Sequence, residues 1–215
     1  MNIQLSDHFN YKKLFLFTLP SVVMMVFTSV YCVVDGFFVS NFAGKTAFAA
    51  INLIMPFIMI LGGIGFMIGT GGSALVSYTL GTGDKEKANR YFSMMVYFTI
   101  LAGILLTVLG IIFVRPIAEL FGADESMMDT CVLYGRIVIA FNAAFMLQNI
   151  FQSFFVVAEK PRLGLIVTIT AGVTNMVLDA LFVGVFKWGI VGAALATGIS
   201  QSIGGLLPLL YFALP

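Results

Sequence analysis

Two aspartates stand where a carboxylate is costly. Asp35 is the only charge in residues 14–44, and Asp179 the only one in residues 163–186. A charge inside a bilayer costs a few kcal/mol or more, and chains that keep one commonly use it for an ion, a proton or a polar substrate. Polar and small neighbours fall at helical spacing around each. Asn175 precedes Asp179 by four residues, with Gly172 and Thr168 continuing the stripe. Thr28, Tyr31 and Asp35 repeat the pattern on the first apolar run, and Ala193, Thr197, Ser200 and Gly204 on the last. Residues three and four apart share a helix face, and such a face on an oily helix points into the protein.

The chemistry follows from those residue types. Two carboxylates at one buried site repel each other unless a proton or a cation stands between them, and they titrate as a unit. Asp, Asn and Thr oxygens also suit a hard cation such as Na⁺. The alternative is that each aspartate is a satisfied helix-packing or interfacial residue. Depth separates the two readings. Asp35 lies seven residues before Phe42, Asp179 seven before Phe186, and Thr197 seven after Ile190. At 1.5 Å per residue, each side chain is expected about 10 Å from the outer end of its own helix, the C-terminal end for the two aspartates and the N-terminal end for Thr197. Asp35, Asn175, Asp179 and Thr197 are therefore expected to form one proton or Na⁺ site, with Tyr31 and Thr28 beside it. Pro20, inside the first run, is expected to kink that helix, either as a static bend or as a hinge.

Composition says what must position these residues. The chain has 215 residues, 60% hydrophobic and only 10% charged, with a mean hydropathy of +1.05. Soluble domains carry about 25% charged residues, so an integral membrane protein is expected. Six apolar runs reach the roughly 20 residues that a helix needs to cross a bilayer: 14–42, 46–80, 91–114, 127–157, 163–186 and 190–214. None alternates as a barrel strand would, so the expected fold is all-α, a six-transmembrane-helix bundle after a cytoplasmic N-terminal segment, residues 1–13. The second run holds Pro56 and six glycines between Gly62 and Gly72, and a kinked or tilted, closely packed helix is expected there. The Gly63-Ile-Gly65 stretch follows no strand and lacks a lysine or acidic partner, which leaves helix packing rather than nucleotide binding.

Charge sets orientation and excludes functions. With a cytoplasmic N-terminus, Lys12, Lys13, Lys85, Lys87, Arg90, Lys160 and Arg162 lie inside, against Lys45, Arg115 and Lys187 outside; that asymmetry places both ends in the cytoplasm. A net charge of +1 offers no basic patch for nucleic acid. No nucleophile–base set or metal-ligand spacing appears, so an enzyme is not expected, nor any organic cofactor. Cys32 and Cys131 read as buried thiols rather than a disulfide. His8 is expected to be solvated. Gln148, Asn149 and Gln152 either line a polar substrate cavity or join helices, and the 12 methionines and 22 phenylalanines fit an adaptable apolar cavity or ordinary membrane packing. The sequence stops inside an apolar stretch at Pro215, as expected of a piece of a longer protein.

Four segments resemble a known family. Val34-Asp35-Gly-Phe-Phe-Val-Ser-Asn, Gly81-Thr-Gly-Asp-Lys-Glu-Lys-Ala88, Asn175-Met-Val-Leu-Asp179 and Gly192-Ala-Ala-Leu-Ala-Thr197 are similar to stretches of the multidrug and toxic compound extrusion (MATE) transporters, in particular the prokaryotic DinF/MepA-like branch. The resemblance implies the N-terminal lobe of a twelve-helix fold whose two six-helix lobes are related by a pseudo-two-fold axis. It also implies an antiporter of a prokaryotic inner membrane, exporting amphipathic or cationic drugs in exchange for H⁺ or Na⁺ by alternating access. The family's N-lobe cation site maps onto Asp35, Asn175, Asp179 and Thr197, its adjacent tyrosine onto Tyr31, and its bending proline onto Pro20. A missing C-terminal lobe, or a second copy, would be the partner. A lipid-linked oligosaccharide flippase of the same superfamily and a non-transporting membrane fragment are the alternatives.

Overall fold

The computed structural model describes residues 10–213; His8, most of the N-terminal segment and the last two residues lie outside them. The described residues form seven α-helices: α1 (Tyr11–Phe38), α2 (Lys45–Gly81), α3 (Lys85–Leu120), α4 (Glu125–Ala140), α5 (Asn142–Val157), α6 (Pro161–Asp179) and α7 (Gly189–Ala213). Two of them run on as π-helix: α1 through Val39–Ala43 and α6 through Ala180–Val185. Five helices are long and apolar enough to cross a membrane, and α4 with α5, bent by 55° at their junction, passes the same test as a pair, which makes six if the pair is one span. This is the all-α bundle expected from composition.

Local signals start the helices. Asn10, Asp84 and Asp124 accept hydrogen bonds from the backbone N–H three residues on, at 2.8, 3.0 and 3.0 Å, capping α1, α3 and α4. Pro161 opens α6 at a position where its missing N–H costs nothing. The Asp84 cap explains why α3 begins ahead of the apolar segment 91–114. α1 and α2 run unbroken through Pro20 and Pro56.

The fourth span departs from expectation. In place of one helix over 127–157, the chain breaks at Phe141, with no proline or glycine there to announce it. The Phe141 ring fills the space where a side chain on Gly198 of α7 would sit, so the cause is tertiary packing.

In the bundle, α2 packs against α3, α4 and α5, α7 fits between α5 and α6, and α1 leans mainly on α6. Backbone contact is close where α2 meets α5: a Cβ on Gly65 would lie 2.6 Å from the Met146 Cα. Membrane helices associate through such small-residue contacts. One aliphatic core gathers around Ile54, Val114, Ile139 and Val183, and a second, aromatic one around Phe151, Phe154 and Phe155.

Candidate cation site

The contact between α1 and α6 sets the site. Phe27 and Tyr31 pack on Gly172, where a Cβ would lie 2.5 Å from the Phe27 ring and 3.0 Å from that of Tyr31. Further along both helices in the same sense, the Asp35 and Asp179 carboxyl groups adjoin each other. The helices therefore run parallel, and Gly172 brings them near enough for the carboxyls to meet. Each aspartate also stands where its helix widens. Asp179 is the last α-helical residue before the π turn, and the Val39 N–H that opens the other π turn donates to the Asp35 carbonyl. Single π turns recur at functional sites.

The site opens onto a cavity of about 80 Å³. Asp35, Tyr31 and Cys32 of α1 line it, with Asn175 and Gly172 of α6, Thr197, Ser200 and Gln201 of α7, and Tyr134 and Gln148 of α4 and α5. Asp179 is completely buried behind this lining, and Asn175 is 2% exposed. The Thr197 hydroxyl lies beside that of Tyr134, while the Ser200 hydroxyl donates to the Thr197 carbonyl at 2.8 Å.

Electrostatically the site is a collection of unmet acceptors. Asp35 Oδ1, both Asp179 carboxyl oxygens, Asn175 Oδ1, Gln148 Oε1 and Gln201 Oε1 are buried and accept no hydrogen bond. Buried polar atoms are nearly always satisfied in folded proteins, so six bare oxygens in one region call for a donor or a cation. No lysine or arginine lines the cavity, and Arg136 of α4 is exposed. Among the described residues no three of His, Cys, Asp and Glu come together. The donor set is thus two carboxylates with amide and hydroxyl oxygens, which fits a proton or a monovalent hard cation.

The structure brings together Asp35, Asn175, Asp179, Thr197 and Tyr31, as the spacing argument grouped them. It does not bring in the rest. Thr28 and Pro20 do not line the cavity. Of the three amides, only Gln148 faces it. Asn149 donates to the Gly62 carbonyl at 3.1 Å and so joins α5 to α2, and Gln152 borders a separate crevice of about 10 Å³ with Gln148. Cys131 is buried as expected, but Cys32, which borders the cavity, is exposed. Sequence reasoning missed Tyr134, 1% exposed, since a lone tyrosine in an apolar run reads as an interfacial anchor. It missed Gln201 too, although the signal was present one turn beyond Thr197.

The family model MatE matches residues 20–181, most of the chain. This chain belongs to the MATE family. Its curated relatives include the multidrug export protein MepA of Staphylococcus saprophyticus, 25% identical over 202 residues, a match covering 94% of this chain and 45% of the relative. MepA of Staphylococcus haemolyticus gives the same identity over 203 residues, with the same coverage. Among solved structures, the outward-facing form of a multidrug resistance MATE transporter matches with a TM-score of 0.87 at 22% identity, covering 94% of this chain and 45% of that one. A MATE structure in the bent conformation matches at 0.85 and 22%, covering 93% and 45%. The chain thus spans about half the length of the curated relatives it matches, and its fold is that of the N-terminal lobe of a MATE transporter. It is a multi-pass membrane protein.

Proposed function

We propose that this MATE lobe holds the coupling cation, H⁺ or Na⁺, of a drug antiporter, bound by Asp35, Asn175, Asp179 and Thr197, with Tyr31 and Tyr134 beside them. The carrying observation is the cluster of six buried acceptor oxygens without donors, set at and behind the lining of a cavity that has no basic side chain. A proton shared by the two carboxyls, or a Na⁺ coordinated by them with the amide and hydroxyl oxygens, would satisfy what the fold leaves bare. Binding would then bias an inward-open against an outward-open form, through different cation affinities in the two states. Substrates are amphipathic or cationic small molecules, handled together with a C-terminal lobe or a second copy, in a prokaryotic cell membrane with the N-terminus cytoplasmic. The absence of basic residues from the cavity lining favours this over a flippase for anionic lipid-linked sugars.

The test is efflux by the complete transporter carrying Asp35→Asn or Asp179→Asn. Each substitution is expected to lower pH- or Na⁺-driven export by about tenfold or more, as follows from losing roughly 1.4 kcal/mol of differential cation affinity. Undiminished coupled export by both variants would overturn the proposal.

A further inference from the structure

Away from the cavity, two more buried polar atoms lack partners: Asn142 Oδ1 and Thr107 Oγ1. Asn142 is 2% exposed and opens α5 immediately after the 55° break. Its amide nitrogen is directed to the Met146 sulfur at 3.5 Å, a weak acceptor. Thr107 lies on α3 between Gly103 and Gly110, at offsets of four and three that put all three on one face. That face packs across the break: a Cβ on Gly103 would meet Ala143, and one on Gly110 would meet Ile139. Thr107 is thus held opposite the interruption itself. Thr99, Thr170 and Thr174 each donate to the carbonyl four residues earlier, the usual resolution for a threonine in an apolar helix; Thr107 does not. The Phe141 N–H still donates to the Val138 carbonyl at 3.0 Å and the Phe145 N–H to the Phe141 carbonyl at 3.1 Å, but the first N–H groups of α5 have no side-chain cap.

We propose that a buried water molecule sits between Thr107, Asn142 and the interrupted backbone, and hydrogen-bonds all three. The guest must both accept and donate. The start of α5 presents N–H groups and a positive dipole end, and the end of α4 presents carbonyls. A cation would be repelled by the first, and an anion by the second. Water fits both, and buried water typically makes about three such bonds. The water has a mechanical consequence. Tyr134 and Val138 line the cavity from one side of the break, Phe145 and Gln148 from the other. A hydrated break lets the two halves of this wall hold their angle without bare backbone in the bundle interior.

The discriminating variant is Thr107→Val, which keeps the shape and removes the hydroxyl. A threonine bridged to water loses a hydrogen bond, so the melting temperature of the detergent-solubilised protein should fall by about 2–4 °C. A threonine that is bare loses only an unsatisfied group, and the melting temperature should rise, which would overturn the proposal. An experimental structure with ordered solvent supplies the second arm. Density within hydrogen-bond reach of both Thr107 Oγ1 and Asn142 Oδ1 is expected, whereas a direct bond between the two side chains contradicts it. Melting in the Asp35→Asn/Asp179→Asn background supplies the third. A Na⁺-dependent rise there that Thr107→Val abolishes would make the guest a cation, and the water assignment wrong.

Discussion

Where α5 turns into α6, Phe92, Phe151, Phe154, Phe155 and Phe212 pack ring on ring with centroids 4.8 to 6.4 Å apart, and Lys160 caps the cluster by donating to the Tyr211 hydroxyl. Around the cavity, six buried oxygens from α1, α5, α6 and α7 have no partner. Both regions are interior, yet one is complete as built and the other is not. The aromatic end needs nothing further, because dispersion between well-placed rings is its whole contribution. The acceptor cluster costs stability until something with positive charge or a donor arrives. Occupancy of that region is what the proposed function would supply.

Substitutions can break that contrast from either side. The largest expected effect on stability comes from the aromatic end: Phe151→Ala should destabilise the protein by about 3 kcal/mol, seen as a lower melting temperature, while leaving any Na⁺- or pH-linked shift intact. If that substitution also erased the linked shift, the two regions would not be separable. Gly172→Leu comes next. Its side chain would push α1 off α6 and part the carboxyls, so the cation-linked shift should shrink, whereas Gly63→Leu, which faces open space, should change neither property. Tyr134→Phe should be milder. Losing the hydroxyl beside Thr197 is expected to weaken cation-linked stabilisation by about 1 kcal/mol, measurable as a rightward shift of a Na⁺ titration.

The smallest effect lies outside both regions. Hydrogen bonds from the Ser126 hydroxyl and the Met127 N–H hold the Asp124 carboxyl below the usual aspartate range. A depressed folded value means the cap stabilises α4 above the ordinary aspartate pKa and is lost as pH falls through the lowered value. Asp124→Ala should therefore lower the melting temperature slightly at neutral pH and flatten its acid dependence, with no influence on Na⁺ binding. Circular dichroism melts of the two proteins across the acidic range would reveal it.

The comparison also explains what could be read from sequence. Asp35, Asn175, Asp179 and Thr197 were legible because each is an exception in an apolar run, and helical spacing with equal depth predicts that exceptions meet. Gln148 and Asn149 were not separable, since adjacent amides on one helix face different neighbours and only packing decides which joins α2 and which reaches the cavity. Tyr134 was hidden because a tyrosine is ordinary near a membrane interface. The break at Phe141 left no local mark at all: its cause is a ring seated on a glycine in α7, a contact between residues distant in sequence. Local chemistry announces a site by its cost, whereas backbone irregularity imposed by tertiary contacts stays silent until the helices are assembled.

The proposed role of the bare oxygens is to bind H⁺ or Na⁺. Its most direct test is the melting temperature of the purified protein, titrated with Na⁺ against choline at constant ionic strength and at several pH values. The melting temperature is expected to rise with Na⁺ or as the pH falls, with the Na⁺ effect smaller at lower pH because both ions compete for the same oxygens. That dependence should vanish in the Asp35→Asn/Asp179→Asn double variant. A melting temperature indifferent to both ions, or one whose dependence survives intact in the double variant, would contradict it.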